Sequence, residues 1–239
     1  MIVIIPAYNE EKTVGEVVRK CKIQNVKCKI IVVDDGSEDR TAEVAGAAGA
    51  TVLRHPINRG LGAALATGIA GAIQLITNNS ITNNPIIVTL DADGQHDPAE
   101  IPRVIAPIVK NEADMVIGSR FIIPPLKIRG GRGSYEIPPI RRLANFCGNL
   151  FTWLLFGIWV SDSQSGFRAF SAAAAGRLRL RTSTMEVSSE IIREIARLKL
   201  RLKEVPITVR YTPYSLAKGQ GFLRGLETLW KLIVLKFFR

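Results

Sequence analysis

Two carboxylates separated by one residue, Asp91 and Asp93, follow an apolar run that ends at Leu90. Carboxylate oxygens at this spacing suit a hard divalent cation, Mg²⁺ or Mn²⁺, that bridges the oxygens of a diphosphate. Gln95 offers a further oxygen two residues on. The sequence therefore predicts a metal–diphosphate site with Asp91, Asp93 and Gln95 as ligands, although an ordinary acidic turn can show the same spacing.

Two more polar clusters occupy comparable places in the chain. Residues 6–10 follow the apolar run Ile2–Ile5, and residues 34–37 follow the run Ile30–Val33. An acidic residue after a strand can accept hydrogen bonds from a ribose or a base, whereas a plain turn or helix cap is equally ordinary. The glycine signature of dinucleotide-binding folds and the Walker A motif are both missing from the sequence, which disfavours hydride transfer and ATP hydrolysis.

The elements that must position these clusters alternate along the first half of the chain. Short β-branched runs predict buried strands at Ile2–Ile5, Ile30–Val33, Thr51–Leu53, Ile86–Leu90 and Met115–Gly118. Helical patterns lie between them, at Glu11–Cys21, Thr41–Ala48, Gly60–Ile76 and Pro98–Lys110. This alternation predicts an α/β fold with right-handed crossovers, in which ligands bind at the carboxyl ends of the parallel strands.

Charge is distributed unevenly over the 239 residues, whose formal net charge is +11. Residues 1–119 carry 11 Lys and Arg and 14 Asp and Glu, whereas residues 120–239 carry 21 and 7. Such an asymmetry indicates a polyanionic partner for the second half: nucleic acid, an anionic membrane surface or a phosphorylated lipid.

Cysteine and histidine usage narrows the class of protein further. Three cysteines, Cys21, Cys28 and Cys147, are too few for a disulfide framework, so we expect reduced thiols and a cytosolic environment. Two histidines, His55 and His96, exclude a multi-histidine metal site. The N-terminal residues show no basic region and no cleavage site, so we expect no signal peptide.

The clusters together resemble the inverting glycosyltransferases of family 2. The resemblance rests on residues 4–11, 32–37, 58–62, 91–96 and 118–120. Residues 162–170 and 204–207 narrow it to dolichyl-phosphate mannose synthases and their glucose or N-acetylhexosamine counterparts. The resemblance implies a GT-A fold with a Rossmann-like, mixed and mainly parallel sheet. It predicts a catalytic domain over residues 1–211, followed by a C-terminal loop and amphipathic helix over residues 212–239.

The resemblance assigns the roles of the family's site residues to the matching positions of this sequence. The resemblance implies a donor-binding set of Pro6, Ala7, Tyr8, Glu10, Asp35, Asp91, Ala92, Arg210 and Lys218. It implies an acceptor-phosphate set of Arg120, Arg141, Arg142, Asn145, Gln164 and Ser165. The predicted catalytic residues are Asp93, Arg120, Asp162 and Arg168. A structural turn remains the alternative for the segment around Asp162.

The implied reaction moves a hexose from GDP-mannose, UDP-glucose or UDP-N-acetylglucosamine to a polyprenyl (dolichyl) phosphate. A phosphate monoester has a second pKa near ~6, so this acceptor is already anionic at neutral pH and requires no general base. The alternative acceptor is a soluble molecule or a saccharide. A nucleic-acid-binding protein is the rival class, and an aromatic content of 7% beside a metal–diphosphate loop disfavours it, so we expect no nucleic-acid partner.

Two segments predict contact with a membrane surface. Leu143–Val160 has 18 residues without a charge, and we expect residues 137–160 to lie at the interface with Trp153 and Trp159 at headgroup depth. A core helix is the alternative. Leu223–Arg239 repeats apolar residues at helical spacing and predicts an interfacial helix, unless it packs on the catalytic domain or leads into a membrane region. We therefore expect a peripheral or monotopic protein on the cytoplasmic face.

Overall fold

The computed structural model describes residues 1–23, 28–79, 84–122 and 139–210. The predicted C-terminal segment 212–239, including Lys218 and the helix Leu223–Arg239, lies outside the described residues.

A seven-stranded sheet forms the centre of the described fold, in the order β3-β2-β1-β4-β6-β5-β7. Its strands are β1 Ile2–Ala7, β2 Lys29–Asp34, β3 Thr51–Arg54, β4 Ile86–Thr89, β5 Met115–Ser119, β6 Arg168–Ser171 and β7 Leu202–Pro206. Strands β1 to β4 pair in parallel, as do β5 and β7. Strand β6 is antiparallel to both of its neighbours, β4 and β5. The predicted mixed, mainly parallel α/β sheet is thus confirmed.

Helices cover both faces of this sheet. They are α1 Val14–Ile23, α2 Thr41–Ala47, α3 Leu61–Asn78, α4 Ile101–Val109, α5 Pro139–Phe156, α6 Ala172–Ala175 and α7 Val187–Leu198. A short 3₁₀ helix, Pro98–Glu100, precedes α4, and the Asp97 side chain caps it by accepting from the Ala99 backbone. One apolar core lies under α1, α2 and α4, and the other lies under α3 and α7. Because both faces are buried, the central strands are almost continuously apolar.

Helix α3 is long and apolar enough, by composition, to cross a membrane, and it alone among the described helices passes that test. It packs on the sheet instead. A Cβ atom built at Gly68 would lie 2.4 Å from Ile4 Cγ2, so this helix approaches strand β1 as closely as glycine allows.

Strands β6 and β7 do not correspond to apolar runs in the sequence. Strand β6 begins with Arg168, and β7 carries Lys203 and Glu204, so neither shows the continuous apolar pattern of a buried strand. The predicted loop 162–170 therefore ends in a central strand of the sheet. This strand brings Arg168 next to the strand that leads to the Asp91 loop.

Candidate active site

Asp91 and Asp93 lie directly beyond the carboxyl end of β4, where the sequence places them. A side chain at position 166 would meet the Asp91 carboxylate, so glycine lets the 162–167 loop pack against this carboxylate without displacing it. Thr89 fixes the same loop, because its Oγ1 donates to the Gly166 carbonyl at 2.8 Å. The backbone of the 162–167 loop thus forms one wall of the carboxylate pair.

The two carboxylates have opposite pKa shifts. Burial by itself would raise the pKa of Asp91. The pKa is nevertheless lowered, because His96 Nε2 lies 3.3 Å from Asp91 Oδ2 and because Arg168 and Arg120 are positively charged. Burial raises the pKa of Asp93, and the neighbouring Asp91 charge raises it further. Two close carboxylates of this kind favour a cation between them.

The donor groups of this loop fit a divalent cation that is shared with a diphosphate. Among the described residues, no group of three or more His, Cys, Asp or Glu side chains forms a complete metal cage. Two carboxylates leave coordination positions for substrate oxygens, which is how Mg²⁺ is usually bound at phosphate sites. The Gln95 side-chain amide donates to Asp93 Oδ2, so here it supports Asp93, and its role as a ligand stays a prediction.

A cleft of about 350 Å³, measured out into open solvent, opens beside Asp91. Its lining includes four predicted site residues among nine: Pro6, Leu61, Leu65, Asp91, Gln164, Gly166, Arg168, Met185 and Ser188. The structure therefore brings Pro6 and Asp91 of the donor set together with Gln164 of the acceptor set.

Arg168 is a buried cation on the wall of this cleft. It is 1% exposed, and its Nη2 donates to the Ser163 carbonyl at 3.0 Å. Burial lowers its pKa to about 10, although the charges of Asp91 and Asp162 oppose the shift. Arg168 therefore remains charged at neutral pH and partly balances the carboxylates around it.

The predicted donor side is held together by Asp35. Its carboxylate pairs with His55 Nδ1 at 2.6 Å and accepts from the backbone of Arg59 at 3.0 Å and of Gly60 at 2.7 Å. His55 Nε2 lies 2.9 Å from Thr67 Oγ1 on helix α3. Asp35 thus ties the turn after β2 to the loop that opens α3.

His55 is part of this site, although the motifs of the sequence do not single it out. The register of the sheet explains its position: Asp34 of β2 pairs with Arg54 of β3, so the next residues, Asp35 and His55, leave the sheet side by side. A polar residue two positions beyond the predicted strand Thr51–Leu53 was the available signal.

The first two polar clusters are joined to each other. The Asn9 backbone donates to Ser37 Oγ at 2.9 Å, and the Glu10 backbone donates to Thr41 Oγ1 at 2.8 Å. Tyr8 directly follows β1, and its side chain is 41% exposed and available to a ligand. The predicted donor residues of β1 and β2 therefore share one edge of the sheet.

Arg120 and Asp162 form a bidentate ion pair on the opposite side of the site. Arg120 donates from Nε and Nη2 to the two Asp162 oxygens, each at 2.7 Å, and its backbone N–H donates to Asp162 at 3.1 Å. Asp162 is fully buried, whereas the Arg120 side chain is 19% exposed. The geometry therefore makes Asp162 a residue that orients Arg120, and the catalytic role assigned to Asp162 stays a prediction.

Other predicted acceptor residues have structural partners. Asn145 is buried and donates to the Ser161 carbonyl at 2.9 Å, while Ser165 is buried and accepts from the Phe167 backbone at 3.3 Å. Arg142 is exposed on α5, and Arg141 precedes it in the same helix. Their contacts with an acceptor phosphate stay predictions.

Arg210, the last described residue, lies beside the carboxylate loop. Its backbone donates to the Gln95 carbonyl at 2.9 Å, and its guanidinium lies 3.6 Å from Asp97. A bridge between His96 and Val209 joins the same two segments. The structure thus brings Arg210, a predicted donor residue, next to the loop that carries Asp91 and Asp93.

The mixed sheet, with a pair of carboxylates at the end of a central strand, defines a glycosyltransferase of the GT-A type. The family model described as "Glycosyl transferase family 2" matches residues 2–176, and the chain belongs to that family.

Relatives and solved structures agree with this assignment. The chain is 35% identical, over 98% of its length and 94% of the relative's, to UDP-N-acetylglucosamine–dolichyl-phosphate N-acetylglucosaminyltransferase of Methanococcus voltae. It is 28% identical, over 94% and 89%, to undecaprenyl-phosphate mannosyltransferase of Micrococcus luteus. The fold is similar to glucosyl-3-phosphoglycerate synthase of Mycobacterium tuberculosis in complex with Mn²⁺, UDP-glucose and phosphoglyceric acid. The TM-score is 0.70 at 22% identity, covering 98% of this chain and 77% of that one.

Proposed function

We propose that this glycosyltransferase moves a hexose from a nucleotide-diphospho-sugar to a polyprenyl phosphate at the membrane surface, with Mg²⁺ or Mn²⁺ as its cofactor. The names of the relatives support a lipid-phosphate acceptor. The structural observation that carries the proposal is the orientation of helix α5, which directs its polar residues into the protein and its apolar residues outward.

The inward face of α5 is polar. Asn145, Asn149 and Thr152, spaced by four and three residues, are buried, and Thr152 Oγ1 lies 3.0 Å from Ser189 Oγ on α7. The outward face carries large apolar side chains between 44% and 59% exposed: Leu143, Phe146, Trp153 and Leu154. Surface helices of soluble domains show the reverse arrangement. An apolar face of this kind indicates a second apolar phase or a partner.

Aromatic rings extend this face beyond the helix. Trp159, also exposed, lies with its ring centroid 6.2 Å from that of Phe146 and 6.3 Å from that of Trp153. Tryptophan is enriched at the depth of lipid headgroups, and Arg142 on the same helix is an exposed cation for lipid phosphates. We call Leu143, Phe146, Trp153, Leu154 and Trp159 the α5 aromatic surface and assign it to the lipid bilayer.

The chemistry follows from the charges on the two sides of the cleft. The acceptor phosphate attacks the anomeric carbon of the sugar, the bond to the diphosphate breaks, and the nucleoside diphosphate leaves. A divalent cation held by Asp91 and Asp93 would neutralise the leaving diphosphate. Arg120, oriented by Asp162, and the buried Arg168 reduce the repulsion between acceptor phosphate and diphosphate.

A donor screen tests this proposal. The purified chain is incubated with dolichyl phosphate in lipid vesicles, MnCl₂ and labelled UDP-N-acetylglucosamine, UDP-glucose or GDP-mannose. We expect label from one of the three donors to become extractable into organic solvent, and the Methanococcus voltae relative makes UDP-N-acetylglucosamine the first to test. Label that enters only water-soluble products would favour the alternative, a family 2 enzyme with a soluble or saccharide acceptor.

A further inference from the structure

Asn149 makes hydrogen bonds to the two backbone positions on either side of Asp162. Its Nδ2 donates to the Ser161 carbonyl at 2.7 Å, and its Oδ1 accepts from the Ser163 backbone at 3.0 Å. Asp162 lies between these two positions and forms the bidentate ion pair with Arg120. One amide of helix α5 therefore fixes the backbone on both sides of the carboxylate that orients Arg120.

The same backbone is held from the sheet. Glu204 of β7 accepts from the Ser161 backbone at 3.0 Å and from its hydroxyl at 2.8 Å. The Ser161 hydroxyl also lies 2.6 Å from the hydroxyl of Ser119, the residue before Arg120. Asn145 of the same helix also donates to the Ser161 carbonyl, whereas Asn149 contacts both flanks of Asp162.

We propose that Asn149 is a positioning residue that couples helix α5, and with it the α5 aromatic surface, to Arg120. The inference rests on the proposed function for the identity of the acceptor. Asn149 is buried and contacts the backbone on both sides of Asp162, so it acts on the orientation of the arginine. Loss of this contact weakens acceptor binding and leaves the donor side, which is held by Asp35 and His55, unchanged.

Asn149→Leu tests the coupling, because leucine has a similar volume and makes neither hydrogen bond. Thr152→Val is the matched control: Thr152 is buried on the same face of α5, but its hydroxyl contacts Ser189 and the Gly148 carbonyl, away from the 161–163 backbone. Asn149→Ala serves where the leucine variant does not fold, since it removes both hydrogen bonds without placing a branched side chain or a charge in the buried site.

The first readout is kinetic. We expect KM for dolichyl phosphate in vesicles to rise about tenfold in the Asn149 variant, equivalent to about 1.4 kcal/mol, while the calorimetric affinity for the nucleoside diphosphate with Mn²⁺ stays at the wild-type value. Thr152→Val should leave both quantities near wild type. An equal loss of donor affinity, or an Asn149 variant that behaves like Thr152→Val, would overturn the proposal.

The second readout does not depend on activity. Amide hydrogen exchange should accelerate in the peptide that contains Arg120, whose backbone N–H donates to Asp162, in the Asn149 variant and not in Thr152→Val. Unchanged exchange there would reject the coupling whatever the kinetics show. If the wild-type protein makes no lipid-linked product with any donor, the proposed function fails, and the exchange result then decides whether Asn149 holds Arg120.

Discussion

The donor side and the acceptor side of the site are built in different ways. On the donor side, the turns after β1, β2 and β3 are neighbours along one edge of a parallel sheet, and hydrogen bonds join each turn to the next. On the acceptor side, Arg120 depends on Asp162, Asn149 and Glu204, which come from a loop, helix α5 and strand β7. A local change should therefore disturb the donor side locally, whereas a distant change in α5 can disturb the acceptor side.

The two sides also differ in charge. The donor side carries Asp35, Asp91 and Asp93, while the acceptor side presents Arg120 and the exposed Arg142, in the half of the chain where basic residues outnumber acids. In the proposed reaction the acids would hold a cation for the diphosphate, and the arginines would compensate the charge of the acceptor phosphate. Because the charges are opposite, we expect a substitution on one side to change donor binding or acceptor use without changing the other.

Asp93→Asn should have the largest effect. Residues that merely support metal ligands cost roughly 10–100-fold when mutated, so loss of a ligand charge should slow transfer more than about 100-fold. The rate of label transfer with added Mn²⁺ measures this, with EDTA-treated wild type as the reference for metal loss. Full activity of Asp93→Asn in EDTA would contradict the metal assignment.

Arg120→Gln should damage acceptor use selectively. Loss of a charge-assisted hydrogen bond to a phosphate costs roughly 1.5–3 kcal/mol, which we expect in kcat/KM for dolichyl phosphate, with donor affinity retained. Because the substitution leaves the buried Asp162 without its ion pair, thermal unfolding must be measured alongside. Donor affinity that falls in step with activity would move Arg120 to the donor side.

Trp153→Gln combined with Trp159→Gln should weaken attachment to membranes. Removing two half-exposed rings takes away enough apolar area to reduce vesicle binding about tenfold, which co-sedimentation with vesicles containing anionic lipid measures. Val109→Gln, a change at a more exposed apolar residue at the end of α4, is the control and should bind as wild type. Unaltered sedimentation of the double variant would remove the α5 aromatic surface from the membrane contact.

His55→Phe should have the smallest effect, confined to the donor side. The phenyl ring is somewhat larger than the imidazole and makes no hydrogen bond to Asp35 or Thr67, while the Arg59 and Gly60 backbones still hold Asp35. We expect calorimetric affinity for the nucleoside diphosphate to fall about two- to tenfold, with Thr67→Val showing a smaller loss. A raised acceptor KM at unchanged donor affinity would erase the distinction between the two sides.

The difference between the sides also explains what the sequence could predict. Strands β1 to β5, the carboxylates after β4 and the turn at Asp35 follow from apolar runs and the residues that end them. The residues that hold Arg120 in place do not, because Asp162, its ion-pair partner, and Glu204, which binds the neighbouring Ser161, are 42 or more residues away and come close only through the order of strands β6, β5 and β7. An apolar pattern located α5, but the burial of its asparagines depends on tertiary contacts.

In the proposed reaction the acceptor is a lipid phosphate whose oxygen attacks the sugar. The most direct test supplies the active donor and Mn²⁺ together with one of three acceptors: dolichyl phosphate, the corresponding dolichol without phosphate, or a water-soluble saccharide. We predict transfer to dolichyl phosphate alone, because only that acceptor carries an anionic oxygen for Arg120 and a chain for the membrane surface. Equal transfer to dolichol, or faster transfer to the saccharide, would contradict a lipid-phosphate acceptor.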